Sequence, residues 1–179
     1  MAADITEVIL VDENDEPVGT MEKMEVHQKA LLHRAFSIFV FNGKGEMLLH
    51  KRAANKYHSA GLWTNACCSH PRPGEDTLSA ARNRLQEEMG ISTGLEKVFD
   101  FTYKAVFDNG LTEYEFDHVF VGEYDGAISP DKEEVSDYCF KTIGDIKDSM
   151  QTHPQKYTEW FKIAFPKMEK YLKKKTTGE

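Results

Sequence analysis

A strand-like segment from Leu111 to Glu123 restricts the fold more than any other part of this sequence. Side chains alternate between the two faces of an extended chain, so Glu113, Glu115 and Asp117 share one face, while aromatic residues and a histidine take the other. Three carboxylates in a row repel one another unless solvent, cationic side chains or a metal compensates their charge. The fold must therefore place solvent, cationic side chains or a metal next to that face of the strand.

The other strand and helix signals predict an α+β fold. Apolar and alternating stretches predict strands at 8–11, 35–41, 47–50, 99–107, 111–123 and 135–140, and helical periodicity predicts helices at 77–89, at 143–150 and from 154 onward. Strands followed by one helix, more strands and a helical end are typical of an α+β fold. We expect a mixed α/β/α layered arrangement in which residues 1–179 form a single domain.

The helix at 77–89 has clear start and stop signals. Asp76 or Thr77 can cap its first turn, and Gly90 can end it. Arg84 and Glu88 are four residues apart and so share one face. The apolar stripe expected to face the core comprises Leu78, Ala81, Leu85 and Met89.

Two further expectations concern chain connections. The turn residues at 42–45 predict a hairpin that joins the strands at 35–41 and 47–50. The last helix is expected to begin at Pro154 and to be kinked or interrupted at Pro166, because proline lacks the backbone N–H that an α-helix needs.

Composition excludes several classes of protein. The net charge is −8, from 30 acidic and 22 basic residues, which argues against a nucleic-acid binder. No apolar run approaches the roughly 18 residues of a membrane span, and the N-terminus lacks the basic and apolar regions of a signal peptide. We therefore expect a cytoplasmic protein without a membrane partner. Its three cysteines are an odd number and argue against a disulfide framework.

The segment from Trp63 to Pro71 concentrates reactive groups. Cys67, Cys68, Ser69 and His70 place two thiols, a hydroxyl and an imidazole in four consecutive residues. A thiol can move a proton or act as a nucleophile, and a neutral imidazole can hold a metal. Free cysteines are also common as small buried apolar residues, and neighbours on a strand point in opposite directions. Only one of the two thiols is therefore expected to face a site.

Scattered histidines and carboxylates form a possible metal-binding set. A mixed nitrogen and oxygen set suits Zn, Mn, Fe or octahedral Mg-like coordination better than a thiolate site does. Taken one at a time, these histidines are commonly surface or packing residues, and the carboxylates could form a solvated strand face. The candidate ligands are His27, His33, His70, Glu113 and Glu115.

A third pattern matches the second half of a Nudix box. The residues in register are Glu75, Leu85, Glu87, Glu88, Gly90 and Ile91. Ser69 stands where the box begins with glycine, and Asn83-Arg84 replaces Arg-Glu. Exchanging a carboxylate for Arg84 removes a metal ligand and adds a phosphate partner, so this box can bind a diphosphate but is poorly equipped to cleave one. The alternative is an ordinary amphipathic helix with its charges outward.

Taken together, these motifs closely resemble those of the type I isopentenyl-diphosphate Δ-isomerases, a family with the Nudix fold. The resemblance covers residues of about 5 to 165 and leaves 166–179 as a helical, lysine-rich tail. It rests on the segments 32–36, 51–53, 63–71, 74–91 and 113–115 and on Trp160.

The resemblance implies a division of roles. His27, His33, His70, Glu113 and Glu115 would ligate one divalent ion, Mn, Mg or Zn. Cys68, two residues before the motif histidine, would be the catalytic cysteine, with Glu115 as its acid–base partner. Trp160 would lie beside the reacting carbons, and Tyr103 would be an active-site tyrosine. Glu88 would help to hold a second Mg on the substrate diphosphate. The substrate contacts would be Lys23, Arg52, Lys56, Ser69 and Arg84.

The implied activity is a double-bond shift in isoprenoid biosynthesis, from isopentenyl to dimethylallyl diphosphate, by a monomer whose partner is this small molecule. A Nudix diphosphohydrolase is the alternative enzyme. A non-catalytic metal-binding module, in which Cys67, Cys68 and His70 are structural, is the alternative from another class.

Overall fold

The computed structural model describes residues 6–178. Residues 1–5, on which the expected absence of a signal peptide partly depends, lie outside the described residues, as does residue 179. The described strands are β1 (Glu7–Val11), β2 (Pro17–Glu22), β3 (His33–Phe41), β4 (Met47–Arg52), β5 (Trp63–Thr64), β6 (Cys67–Ser69), β7 (Glu96–Val106), β8 (Thr112–Glu123) and β9 (Val135–Lys141). The described helices are α1 (Lys23–Lys29), α2 (Thr77–Met89), α3 (Ile143–Thr152) and α4 (Glu159–Thr177), with a 3-10 turn at Pro154–Lys156.

Strands β3 and β8 form the centre of a mixed sheet. They run parallel to each other, with His33 opposite Glu115 and Phe41 opposite Glu123. Strand β7 pairs antiparallel with β8 along its length. The pairing of β3 with β8 places the predicted carboxylate face of β8 beside the start of β3, so that His33 and Glu115 become neighbours.

The sheet has an apolar cluster on each face, which confirms the predicted α+β layered architecture. Strand β3 is buried on both sides, because its alternate residues enter different clusters: Phe39 packs in one and Ile38 in the other. The first cluster includes Trp160, Phe161, Ala164, Phe165 and Met168 of α4. The second includes Ala80, Ala81, Leu85 and Met89 of α2. Leu78, the fourth residue of the predicted α2 stripe, is partly buried against the second cluster.

The predicted hairpin between β3 and β4 forms only next to its turn. The turn at 42–45 is present, but the two strands pair only at Phe41 and Met47. Strand β4 pairs instead with β9 and β5, while β6 pairs with β3 through Phe36 to Ile38. The segment from Trp63 to Ser69 thus occupies the fork between β3 and β4. These longer-range pairs replace the local ladder that the turn alone would favour.

The last helix also differs from its prediction. Pro154 begins a 3-10 turn, and α4 begins at Glu159 after Thr158, whose hydroxyl accepts from the Phe161 N–H at 3.3 Å. Helix α4 continues through Pro166 to Thr177, so the predicted interruption is wrong. The missing N–H costs one helical hydrogen bond, and packing of the buried face of α4 on the sheet offsets that loss. In the described part of the chain, no helix has the length and apolarity needed to cross a membrane.

Helix α2 ends as its sequence predicts. Asp76 caps the first turn by accepting from the Ser79 N–H at 3.0 Å. Gly90 has a φ of 66°, in the left-handed region, and its N–H bonds to the Gln86 carbonyl at 3.0 Å. A Cβ at Gly90 would lie 2.9 Å from the Ser129 carbonyl oxygen, a backbone atom that cannot easily move. Glycine is therefore needed here for both conformation and space.

We expect Gly90→Ala to lower the free energy of unfolding by more than about 2 kcal/mol, because it adds a backbone clash to the cost of a left-handed residue. Gly110→Ala is the matched control: Gly110 has a φ of 81°, but a Cβ there meets nothing within 4 Å. It should cost about 1 kcal/mol. Urea denaturation measures both, and equal losses would contradict the role given to Ser129.

Candidate active site

One cavity of about 350 Å³ gathers most of the residues that the sequence singled out. It lies where α1, α2, α4 and strands β3, β4, β6, β7 and β8 meet, so residues far apart in sequence line a common space. His27 and His33 are fully buried and are not among the residues that line the cavity. They contact Glu113 and Glu115, which do line it. The predicted residues that line it are Lys23, Arg52, Lys56, Cys68, Ser69, His70, Arg84, Glu88, Tyr103, Glu113, Glu115 and Trp160.

Four of the five predicted metal ligands form one buried group. One side-chain atom from each of His27, His33, His70 and Glu113 lies within 4.8 Å of all the others. Glu115 adjoins this group: its Oε2 is 2.9 Å from His70 Nε2 and 3.8 Å from His33 Nε2. The contributing elements are α1, β3, β8 and the residue after β6. Tertiary structure, and not local spacing, therefore assembles this group.

Backbone contacts set the tautomers of two of these histidines. His27 Nδ1 is 2.5 Å from the Lys23 carbonyl oxygen, and His33 Nδ1 is 2.9 Å from that of Leu31. A carbonyl oxygen can only accept, so Nδ1 carries a proton in both rings. His33 Nε2 is left to bind, whereas His27 Nε2 lies 2.5 Å from Glu113 Oε1. Burial disfavours a charge on His27, but this hydrogen bond outweighs it and raises the His27 pKa. Burial lowers the pKa of His33 and, more strongly, that of His70, which keeps both imidazoles neutral. Neutral imidazole is the form that binds metals.

Unpartnered atoms in the group test whether its residues fit a cation. His33 Nε2 and Glu113 Oε2 are buried and have no hydrogen-bond partner among the described residues. Burying two acceptors without a hydrogen bond lowers the free energy of unfolding unless a ligand binds them. Three imidazoles with carboxylate oxygens are a donor set that divalent ions accept. The group can therefore bind a divalent metal.

Glu113 and Glu115 have opposite electrostatic environments. Burial disfavours the charge of Glu113, but hydrogen bonds from His27 and His58 overcome it and hold the Glu113 pKa well below its usual range. Burial, and then repulsion from Glu113, raises the pKa of Glu115 well above its usual range. The Glu115 carboxylate also accepts a hydrogen bond from the Tyr103 hydroxyl. Glu115 is thus a buried carboxyl group able to hold or release a proton, and Tyr103 orients it.

The two neighbouring cysteines face opposite sides, as predicted. Cys67 is fully buried in the cluster that includes α2, whereas Cys68 lines the cavity. Cys68 Sγ lies 3.1 Å from Asn65 Oδ1 and 3.6 Å from Ser37 Oγ. Burial, followed by the nearby charge of Asp117, raises the pKa of the Cys68 thiol to about 12. Cys68 is therefore a protonated thiol at neutral pH. The third cysteine, Cys139, is partly buried and packs against the other cluster.

Asn65 fixes the backbone that carries Cys68. Its side-chain amide donates to the Ile38 carbonyl at 2.9 Å and to the Cys67 carbonyl at 3.0 Å. The Thr64 hydroxyl donates to Asn65 Oδ1 and accepts in turn from the Thr158 hydroxyl at 3.1 Å. These buried bonds connect the segment in the β3–β4 fork to β3 and to the start of α4.

The predicted anion contacts collect positive charge in the same cavity. Burial, followed by repulsion from Lys56, lowers the pKa of Lys23. Lys56 pairs with Glu134 at 2.5 Å, and the Arg52 guanidinium lies over the Trp160 ring, 5.1 Å from its centroid. Arg84 pairs with Glu88 and, at 3.0 Å, with Glu87. Several cations crowded in this way favour an anionic ligand.

His58 is the main site residue that the sequence reasoning missed. Its Nε2 lies 3.0 Å from Glu113 Oε1, and its ring stacks on Phe107 with centroids 4.7 Å apart. The ring also meets Trp160 edge-on at 5.7 Å. His58 lies in the same loop as Lys56, so a search for histidines next to predicted anion contacts could have found it. Ser37, whose hydroxyl donates to Asp117 Oδ2 at 2.7 Å beside Cys68, gave no separate signal.

Comparison with known proteins identifies the family of this chain. The model of the NUDIX domain matches residues 31–161. The isopentenyl-diphosphate Delta-isomerase of Pectobacterium atrosepticum is 48% identical over 167 residues, 93% of each chain. An isopentenyl-diphosphate Delta-isomerase 2 of Photorhabdus laumondii is 52% identical over 155 residues, 87% of this chain and 88% of that one. This chain belongs to the isopentenyl-diphosphate Delta-isomerase family. The family has the Nudix fold.

Solved structures agree on the fold alone. A crystal structure of a protein from Deinococcus radiodurans superposes with a TM-score of 0.69 at 17% identity, covering 82% of this chain and 90% of that one. A MutT protein from Methanosarcina mazei gives a TM-score of 0.65 at 18% identity, covering 78% and 94%. The predicted Nudix-type α+β fold is confirmed.

We expect His33→Ala to lower the content of bound divalent metal in the purified protein about tenfold or more, because it removes a buried Nε2 that has no hydrogen-bond partner among the described residues. Inductively coupled plasma mass spectrometry measures this content. His118→Gln is the matched control: His118 is also a buried histidine, but it pairs with Asp15 at 2.9 Å on the other face of β8. Equal metal content in His33→Ala and the wild type would contradict the assigned group.

Proposed function

We propose that this protein converts isopentenyl diphosphate to dimethylallyl diphosphate by adding one proton and removing another. The observation that carries the proposal is that the half-buried thiol of Cys68 and the buried carboxyl group of Glu115 line one cavity with a cluster of cations. Relatives of 43% to 52% identity carry the name of this isomerase, which supports the same activity here. Its place would be isoprenoid biosynthesis.

The reaction needs two proton-transferring groups and a dry pocket. An unactivated alkene must gain a proton at its terminal carbon and lose one from the carbon on the other side of the branch point. The intermediate has tertiary carbocation character, and water would capture it. A half-buried thiol and a buried carboxyl group can carry the two protons, provided that one is in its acid form while the other is in its base form. After one turnover they have exchanged these forms, so a proton must return from the second group to the first before the next turnover.

We assign the proton transfers to Cys68 and Glu115. The pKa of about 12 for the Cys68 thiol supports a protonated resting state. Tyr103, bonded to Glu115, would fix the orientation of that carboxylate. Trp160 would present its π face to the developing positive charge, an interaction that is strongest in a desolvated site.

We propose that His27, His33, His70, Glu113 and Glu115 hold one divalent ion, Mn, Mg or Zn. When bound, this ion would supply positive charge that compensates the carboxylate face of β8. The two unpartnered acceptors, His33 Nε2 and Glu113 Oε2, support this ligand set. His58 would act beside the ion, because its contact with Glu113 Oε1 leaves Oε2 for coordination.

The diphosphate would be bound by Lys23, Arg52, Lys56, Ser69 and Arg84, with Mg held jointly by the phosphates and Glu88. Arg84 is the feature that disfavours the alternative of a Nudix diphosphohydrolase, because it replaces a metal-binding carboxylate and already neutralises Glu88. A cytoplasmic, monomeric state and a single domain over residues 1–179 stay predictions.

We expect Cys68→Ala to lower the rate of isopentenyl diphosphate conversion at least a thousandfold, because it removes a proton-transferring group. Proton NMR of the product in the presence of Mg²⁺ and Mn²⁺ measures the rate. Cys139→Ala, which removes a partly buried thiol of β9, should retain the wild-type rate. Conversion by Cys68→Ala at the wild-type rate would exclude this mechanism. Phosphate release from nucleoside diphosphate derivatives by the wild type, without isomerisation, would support the hydrolase.

We expect Trp160→Leu to lower kcat about thirtyfold, since a desolvated cation–π contact contributes about 2 kcal/mol. Trp160→Phe keeps an aromatic face and should lose less than Trp160→Leu. Steady-state kinetics with isopentenyl diphosphate measure both variants. A loss of equal size in the two variants would indicate that Trp160 acts through its size alone.

A further inference from the structure

A buried thiol outside the proposed chemistry contacts the proposed magnesium ligand. Cys67 Sγ lies 3.0 Å from Glu88 Oε2, within hydrogen-bond distance for sulfur. Cys67 was expected to serve packing alone, and it does lie in the apolar cluster that includes α2. Burial, followed by the charge of Glu88, raises its pKa well above the usual range, so the thiol is the donor in this bond.

The two oxygens of Glu88 are held from different sides. Arg84 donates to Oε1, and its side chain lines the cavity. Cys67 donates to Oε2 and is fully buried. An entering phosphate group can compete for the Arg84 guanidinium, because both are at the cavity. The phosphate group cannot compete for the Cys67 thiol, because that thiol is fully buried.

The backbone of Glu88 is already fixed. At the end of α2, the Glu88 carbonyl accepts from the Asp131 N–H at 2.8 Å, and the Met89 carbonyl accepts from the Ser129 N–H at 3.0 Å. The remaining freedom of Glu88 is in its side-chain torsions. A donor that stays in place when Arg84 turns to a phosphate would therefore decide where the carboxylate points.

We propose that Cys67 is a positioning residue, whose thiol holds the Glu88 carboxylate at the cavity wall while Arg84 exchanges Glu88 for the substrate diphosphate. This inference rests on the proposed function, because it takes Glu88 as the residue that shares Mg²⁺ with the diphosphate. Neighbouring cysteines then have separate duties: Cys68 carries a proton, and Cys67 orients a carboxylate some 20 residues away in sequence.

The test compares Cys67→Ala and Cys67→Val, which lose the donor, with Cys67→Ser, which keeps one. Isothermal titration calorimetry with Mg²⁺ and inorganic pyrophosphate measures binding without chemistry. We expect the two donor-less variants to bind about tenfold more weakly, the size typical of an outer hydrogen bond to a metal ligand. Cys67→Ser should stay close to the wild type. Cys67→Val fills the site and keeps the test valid if Cys67→Ala fails to fold.

A double-mutant cycle separates positioning from packing. If Cys67 acts through Glu88, Cys67→Ala should have no further effect on binding in a Glu88→Gln background. In steady-state kinetics, the donor-less variants should raise KM for isopentenyl diphosphate more than they lower kcat. Cys139→Ala is the control for loss of a thiol elsewhere.

Three results would overturn the inference: unchanged pyrophosphate binding in folded Cys67→Ala or Cys67→Val, an equal loss in Cys67→Ser, or an undiminished loss in the Glu88→Gln background. The calorimetric readout is independent of the isomerase assay. A wild type that fails to convert isopentenyl diphosphate but shows the Cys67-dependent binding would refute the proposed function and leave the positioning role of Cys67 in place.

Discussion

The structure depends on compensating a row of buried carboxylates. Glu113, Glu115 and Asp117 face inward from β8 and are almost fully buried, which would be prohibitively costly if all three were charged and unpartnered. The fold answers each one differently. Histidines on α1 and in the 53–62 loop bond to Glu113, Tyr103 and His70 bond to Glu115, and Ser37 bonds to Asp117, whose pKa burial raises to about 7. The same residues that solve this electrostatic problem form the cavity.

The elements that could be predicted from sequence are those whose signals are local. The alternation on β8 and the capped helix α2 need only neighbouring residues, and both are confirmed. The early separation of β3 from β4 could not be predicted, because β6 competes for the same edge of β3 from about thirty residues away. Likewise, Thr158 outcompetes Pro154 as the start of α4, since it supplies a capping hydroxyl that proline lacks.

Site residues could be predicted from the sequence where their functional groups alone suggest a role. They were missed where the role depends on a contact made only in the folded protein. Functional groups alone identify the metal-ligand histidines, Cys68 and the β8 carboxylates as candidates. His58 and Cys67 are not identified in this way: one looks like part of a polar loop and the other like a core residue. Both gain meaning only from the carboxylate each one touches, Glu113 and Glu88, more than 20 residues away in sequence.

The fork between β3 and β4 has a consequence for how the chain acquires its activity. Cys68 reaches the cavity only when β6 has paired with β3, and Glu115 only when β8 has paired with β3 across about eighty residues of intervening chain. Pairings between such distant segments form slowly, since loop-closure entropy must be overcome before they contribute. The groups proposed to transfer protons are therefore together only in a chain that has formed both long-range pairings. In a chain that lacks either pairing, we expect these thiol and carboxyl groups to be separate and the proposed activity to be absent.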